Sequence, residues 1–409
     1  LLWTGYDTSQ FASLRIVNGG VSMKAERGQS DWQAKALEQA MLAYLDASNN
    51  TRIIADIAAG KDQASRFRQL AALGGQWYLR STLSQDAGET QGRIHLRVRL
   101  MHLRNEKRQF STDLDGTLDS LDDLAARAAQ QILSWLDRAP LDEDKRRLAR
   151  AELPQTDQAA KFYAEGLEAL ENRHLRLAVE KFRTALVHAG DHPMILAALA
   201  RTLSELGYRK SAIELVELAN QKSANLTRQR QLEIEGAYAR LNHDWERAAQ
   251  VLIALKEFHP DDVRYWLDLV EVYNKAGAHK EAIQAVTALR ELTDQDPRID
   301  IAEASVWYYG GNYTKALRAA DKAVAKARSL GNDAILADAL MAHVDSDGEK
   351  SAPYLNEALA IYQAQNNPGK QAAVLQEMGT LARARGRLND AETYLNRAIG
   401  IARSIGDEP

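Results

Sequence analysis

The sequence predicts a small mixed α/β domain followed by an all-α superhelical solenoid of helical hairpins, and three observations predict it. First, a small residue is followed twelve positions later by another at Gly166/Ala178, Ala200/Ala212, Gly236/Ala248, Val270/Ala282, Ala304/Ala316, Ala339/Ser351 and Gly379/Ala391, with Val270 the one bulky member. The second members lie 34, 36, 34, 34, 35 and 40 residues apart, near the period of a helix-turn-helix repeat. Small residues at that spacing let two antiparallel helices approach where they cross. Second, an apolar or small residue stands four and seven positions after each second member: Phe182 and Ala185, Val216 and Ala219, Leu252 and Leu255, Val286 and Leu289, Ala320 and Ala323, Leu355 and Ala358, Leu395 and Ala398. That spacing puts a buried stripe on every second helix. Third, the register is absent before Ala139, where short β-rich runs alternate with amphipathic segments.

In chain order, the first domain reads as a strand over 14–18, a helix over 31–47, a strand over 52–57 and a helix over 64–73. Strands over 76–84, 92–103 and 107–113 follow, with Asp86-Ala87-Gly88 and Asn105-Glu106 as hairpin turns. A closing helix over 118–136 carries Leu121, Leu124, Ala128, Ile132 and Leu136 at helical spacing. Two strand-helix units and a meander predict a mixed sheet over 1–138. The stretch 139–156, charged and bounded by Pro140 and Pro154, reads as a linker or bridging helix, and 157–409 holds about seven hairpins.

The repeats resemble the tetratricopeptide repeat (TPR). The fourth unit carries Trp266, Leu269, Tyr273, Ala282 and Pro297 near that family's positions, with Pro297 three residues late. The third has Gly236, Ala248 and Pro260; the sixth has Ser351 for alanine and a turn lengthened by Ser346-Asp347-Gly348. The first domain, with Gly74-Gly75-Gln76-Trp77-Tyr78-Leu79 opening a hairpin and the long strand and closing helix after it, looks like the TolB/FlgO-type domain, although Leu14–Gly20 replaces its usual first-strand ending. The pair of domains resembles the extracytoplasmic part of CadC-like membrane-bound winged-helix regulators, and of related receptor Ser/Thr kinases and adenylate cyclases.

Composition sets limits on the chemistry. Zero cysteines exclude disulfides, thiol catalysis and cysteine metal clusters. A net charge of −4, from 52 basic and 56 acidic residues, argues against a broad nucleic-acid surface. With 26% charged residues and a mean hydropathy of −0.42, no run approaches the roughly 18 apolar residues of a membrane helix. The chain begins with Leu1-Leu2-Trp3, which reads either as the last turn of a preceding segment or as an incidental apolar boundary.

Several motifs imitate enzymes or metal sites. Asp113-Leu114-Asp115-Gly116-Thr117 resembles the first motif of haloacid-dehalogenase phosphatases, but Arg108–Thr112 is too polar for the central parallel strand that motif needs; the expected alternative is a turn into a helix capped by Thr117, with Asp119 in its first turn. Asp345, Asp347 and Glu349 start like a calcium loop that then lacks its glycine and its closing acid. His188 and His192 stand four apart around a helix end, where a surface cap is expected rather than a metal site. No catalytic residue, metal or cofactor is expected.

Two binding surfaces remain. Arg93, His95, Arg97 and Arg99 share one face of a strand, a basic sheet face open to an anionic partner. The first helices of a TPR stack line its concave groove, and the register places Arg201, Arg230, Glu233, Arg240, Arg264, Glu271, Asn274 and Tyr308 there. Guanidinium forks in that set suit the carboxylates of an acidic peptide or protein loop, and Tyr308 offers a stacking ring. The Trp307-Tyr308-Tyr309 cluster is expected to be partly core. The expected function is a non-enzymatic sensory and protein-interaction region of a bacterial signalling protein. In that reading it is periplasmic, anchored to the inner membrane through a segment before Leu1, and works by changing the pairing of two protomers. A kinase or cyclase exterior and a freestanding scaffold, in periplasm or cytoplasm, are the alternatives.

Overall fold

A computed structural model describes residues 14–24, 32–48, 51–55, 62–85, 93–343 apart from positions 173, 207, 261 and 294, and 351–405 apart from 366. Strand β1 (Leu14–Lys24) pairs in parallel with β2 (Thr51–Ala55) on one side and with β3 (Trp77–Gln85) on the other. Antiparallel β4 (Arg93–His102) and β5 (Asn105–Thr117) complete a five-stranded sheet of order β2-β1-β3-β4-β5. The chain moves outward from β1 to β2 through α1 (Trp32–Ala47), then back across β1 to β3 through α2 (Gln63–Ala72). Crossovers of one hand travelling in opposite directions place their helices on opposite faces of the sheet. Accordingly α1, joined by α3 (Leu121–Trp135), buries Ile16, Leu79, Leu83, Ile94, Leu96, Val98 and Leu100, while α2 lays Phe67 and Leu70 against Val17 and Tyr78 on the other side.

The strand alternation in β4 is as the sequence predicts, with Ile94, Leu96, Val98 and Leu100 fully buried and Arg93, Arg97 and Arg99 exposed. Two strands run longer than their composition indicates. β1 continues past residue 18 through Gly19-Gly20, where the pairing with β3 shifts register between Asn18 and Val21. Gly20 has φ +80, and a Cβ on Gly19 would lie 2.5 Å from the Tyr78 ring, so the glycines mark a bulge pressed against β3 rather than a strand end. β5 extends to Thr117, which makes Asp113–Thr117 strand instead of turn; Thr117 then caps the short 3₁₀ turn Leu118–Ser120 ahead of α3. The β4–β5 turn falls at Leu103–Arg104, not at Asn105-Glu106. The Asp86-Ala87-Gly88 turn lies outside the described residues.

Helix α4 (Glu143–Ala151) bridges the two parts, with Leu141 and Ala149 joining the sheet domain's core. Among the described residues fourteen further helices then form seven hairpins: α5 (Asp157–Glu171) with α6 (Leu175–Ala189), α7 (Pro193–Glu205) with α8 (Arg209–Lys222), α9 (Arg228–Leu241) with α10 (Trp245–Phe258), α11 (Val263–Lys275) with α12 (His279–Leu292), α13 (Pro297–Tyr309) with α14 (Tyr313–Leu330), α15 (Asp333–Met341) with α16 (Ser351–Ala364), and α17 (Pro368–Ala384) with α18 (Leu388–Ile405). The small-residue pairs sit where the helices of each hairpin cross. A Cβ on Gly166 would lie 2.5 Å from the Phe182 ring, and one on Gly379 would lie 2.7 Å from Leu395. Polar caps start the first helices, among them Thr156, Thr227, Asp262, Asp296, Asn332 and Asn367, each accepting from a backbone N–H one turn on. Pro297 comes late for the fourth unit because it is the first residue of α13, where a missing N–H costs nothing.

The sheet domain docks on the end of α5 and then along turns that join later hairpins. Lys35 of α1 bonds Glu171 at the end of α5 (2.7 Å), Asp46 bonds Arg230 of α9 (2.6 Å), and Arg52 of β2 bonds Asp262, the cap of α11 (2.7 Å). Further along, Gln69 of α2 donates to the Leu330 carbonyl, and Leu73 packs among Ala323, Ala327 and Ile335.

Candidate functional site

The first helix of each hairpin faces inward, and the concave side opens into two adjoining cavities. One, of about 610 Å³, lies between α7, α9 and α11. The other, of about 830 Å³, is lined by α11, α13, α15 and α17. Both walls mix small apolar residues, such as Ala197, Ala198, Ala302 and Ala304, with charged ones. Small side chains on an inward helix face keep the backbones close to the groove and leave room for an extended occupant.

The structure brings the expected groove residues to this surface. Arg201, Arg230, Glu233, Arg240 and Glu271 line the first cavity, and Glu271, Asn274 and Tyr308 line the second. Arg264 faces a smaller cavity of about 270 Å³ between the sheet domain and the solenoid, together with Arg230 and Glu233. Most of the guanidinium forks are occupied from within the protein. Arg230 meets Asp46 (2.6 Å), Glu152 (3.0 Å) and Glu233 (2.7 Å) at once, and Arg264 forks onto the fully buried Asp262 (2.9 Å), whose other partner is Arg52. Arg240 faces Asp268 at 3.5 Å, and Arg201 bonds Glu205 one turn away at 3.2 Å. The expectation that these forks await a partner's carboxylates is therefore revised for Arg230 and Arg264: Arg230 clamps the two parts of the molecule together, and Arg264 braces Asp262, which Arg52 holds from the sheet domain.

The clamp is electrostatically uneven, because Arg230 faces three carboxyl groups. Burial pushes the Asp46 carboxyl up to about 7; Arg230 opposes the shift, and the Glu152 and Glu233 charges add to it. Glu233 shifts the other way, to about 2, because Arg230 and Arg264 outweigh its own burial. Tyr265 donates to Glu233 at 2.9 Å, and Thr227 donates to Glu152 at 3.0 Å, so hydrogen bonds satisfy the remaining lone pairs. The sequence register gave no sign of Asp46, Arg52, Glu152 or Asp262 in this role. Asp46 is 184 residues from Arg230, and nothing local to either predicts the contact.

Comparison with known proteins matches one stretch of the repeats to a family model. Residues 336–404 match the tetratricopeptide repeat model. This stretch covers α17, α18 and most of the hairpin before them. Among solved structures, a Rap protein complexed with competence and sporulation factor is 15% identical, covers 70% of this chain and 94% of its own length, and superposes with a TM-score of 0.51. A thermophilic TPR protein of Thermus thermophilus is 20% identical over 45% of this chain and 99% of its own, with a TM-score of 0.37. MamA of Desulfovibrio magneticus RS-1 is 17% identical over 42% and 97%, with a TM-score of 0.35. The first of these likenesses supports a TPR-like solenoid fold across most of the chain. No curated protein matches the sequence.

Outside the TPR-like groove, the basic sheet face is open but partly neutralised. Arg97 bonds Asp113 (2.7 Å) and His95 bonds Asp115 (2.5 Å), each directly across on β5. Arg99 stands opposite Arg80 of β3, and Arg93 opposite Thr117. Asp113 and Asp115 thus lie on an antiparallel edge strand in cross-strand ion pairs, unlike a phosphatase nucleophile at the end of a central parallel strand. His192 contacts the Leu153 carbonyl at 3.2 Å, with its pKa lowered by burial, whereas His188 stacks on Phe162. No group of three potential metal ligands occurs among the described residues, and Asp345, Asp347 and Glu349 lie outside them. Of the Trp307-Tyr308-Tyr309 cluster, the two tyrosines are exposed; they form edge-to-face contacts with each other and, through Tyr308, with Tyr313. Trp307 is half-buried, donating to Glu303 at 3.1 Å beneath the Lys315 ammonium.

Proposed function

We propose that this chain is a non-enzymatic interaction module that holds an extended peptide or partner segment on the concave face of its TPR-like solenoid. The observation that carries this reading is the pair of adjoining cavities along the inward helices, with walls of small residues interrupted by charged and tyrosine side chains. The Rap protein of similar fold was crystallised with competence and sporulation factor, which supports the reading at the level of fold. The test is selection of displayed random dodecapeptides on the whole chain. Ala198→Arg and Ala302→Arg, which fill the two cavities, are expected to abolish capture, and Glu257→Arg on the exposed side of α10 to leave it intact. Equal capture by all variants would place binding elsewhere.

The finer reading is the sensory region of a membrane-anchored bacterial signalling protein of the CadC-like kind. Its support is the domain order together with the sheet domain's docking on the repeats, a contact through which an occupied groove could act on the rest of a receptor. No helix among the described residues is long and apolar enough to cross a membrane; in this reading the anchor is a segment before Leu1. Reading the gene upstream and placing topology reporters at Asp7, which lies outside the described residues, separates the possibilities. A winged helix followed by an apolar helix, with Asp7 external, is the expected result. A kinase or cyclase there names the rival receptor, and a start codon or signal peptide makes the chain a freestanding scaffold.

A further inference from the structure

The charged groups of the larger cavity differ in how far the protein uses them itself. Asp338 accepts from Tyr362 (2.6 Å) and Lys370 (2.9 Å), and Arg298 is forked on Asp296 (2.6 and 3.0 Å). Glu271 and Lys275 stand one turn apart on α11 with opposite charges. Neither makes a hydrogen bond or ion pair among the described residues, but both are exposed, whereas Glu377 of α17 is half-buried. Its carboxylate has no hydrogen bond or ion pair among the described residues, although it is buried enough for its pKa to be raised from the ordinary glutamate value. Facing the same cavity is Tyr308, exposed at the groove edge, whose phenol is pushed up by burial and then by the Glu377 charge. The third element is Asn274, 8% exposed: its amide bonds Ser305 at 3.2 Å through one atom, and the other has no partner. Whichever way the amide is turned, one polar atom on the groove wall is left for an occupant.

A half-buried carboxylate with no counter-charge is disfavoured, and a cation delivered by a ligand relieves it. An aromatic ring beside the carboxylate adds attraction for an ammonium or guanidinium group. We propose that this end of the groove selects a positively charged side chain, a lysine or arginine of the bound peptide, with Glu377 as its carboxylate, Tyr308 as its aromatic wall and the Asn274 amide taking a main-chain group beside it. The polarity is opposite to that expected from the arginines, and it follows from Glu377 being the half-buried charge of this cavity that the fold leaves unpaired, while the unpaired Lys275 is exposed to water. The inference rests on the groove-binding reading above.

The experiment uses an array of random dodecapeptides probed with the whole chain, and then the strongest peptides in solution by fluorescence anisotropy. Wild type is expected to enrich lysine and arginine. Glu377→Gln is expected to weaken the basic peptides about tenfold, as for loss of one charge-assisted contact. Glu377→Asp should restore most of the binding. Ala373→Arg, exposed and one turn before Glu377 on α17, supplies a guanidinium in place and should block the same peptides. Circular dichroism of each variant checks the fold. Groove-dependent capture with no basic preference, or with no effect of Glu377→Gln, overturns the cation site and leaves groove binding standing. Capture that Ala302→Arg does not reduce overturns both.

Discussion

Arg230 meets three carboxyl groups at once, with Asp46, Glu152 and Glu233 around one guanidinium. Removing it as Arg230→Met leaves acids buried without a counter-charge and is expected to cost about 3–5 kcal/mol, read as a lower urea midpoint. Asp46 makes a separate prediction about pH. Its folded pKa, about 7, lies above the unfolded aspartate value of roughly 3.9, so the protonated form favours the folded state. That contribution is complete below about pH 4 and is lost as pH rises through 7. Asp46→Asn cannot lose a proton, so between pH 5 and pH 8 the urea midpoint of wild type is expected to fall more than that of the variant. Parallel slopes would remove Asp46 as the cause. Glu233, lowered to about 2, acts in the other direction and in another window, contributing above roughly pH 4.3 and fading toward 2. These residues also show where sequence reading stops. The register placed Arg230, Glu233 and Arg264 on the inward helices correctly, because helical position is a local property. That Arg230 faces Asp46 depends on where another domain docks, which no spacing in either segment encodes, whereas Arg264 takes a carboxylate only two residues away, at the cap of its own helix.

At the scale of elements, the hairpin crossings convert one residue type into geometry, and the tightness differs from crossing to crossing. A methyl at Gly166 would meet the buried Phe182 ring at 2.5 Å, whereas one at Gly236 would meet a single Val251 methyl at 3.1 Å. Alanine gains about 1 kcal/mol of helix propensity at either position. At Gly166 overpacking of about 1–3 kcal/mol outweighs that gain. Gly166→Ala is therefore expected to lower the melting temperature by several degrees and Gly236→Ala to leave it nearly unchanged; equal shifts would show that the α5–α6 crossing relaxes freely. The solenoid was legible because each crossing repeats the same steric demand at nearly the same interval. The sheet was legible in its alternation, as in Ile94, Leu96, Val98 and Leu100, but not in its strand ends. Gly19-Gly20 has the composition of a turn and serves as a bulge, and Asp113–Thr117 is polar because its outward side chains answer the basic residues of β4.

Across the whole molecule, the docked interface is ionic where it meets the first, third and fourth hairpins and apolar where Leu73 reaches the α14–α15 region. Reversing charge at two points, as Asp46→Arg with Arg52→Glu, sets like charges against Arg230 and Asp262. The double variant is expected to show a larger radius of gyration by small-angle scattering and a second, lower unfolding transition. An unchanged scattering profile would assign the docking to the apolar contact instead. Stacks of helical pairs touch only their neighbours, so such a stack on its own can stretch and recoil like a spring. Here a rigid sheet domain grips the coil at α5, α9, α11 and the α14–α15 turn. It acts as a splint, and a splinted spring keeps its pitch: the coil cannot lengthen between the first and sixth hairpins unless those grips let go. The hairpin past the last of these grips, α17 with α18, carries Glu377 and is held instead by the first hairpin, where Arg176 of α6 donates to the Ser404 carbonyl.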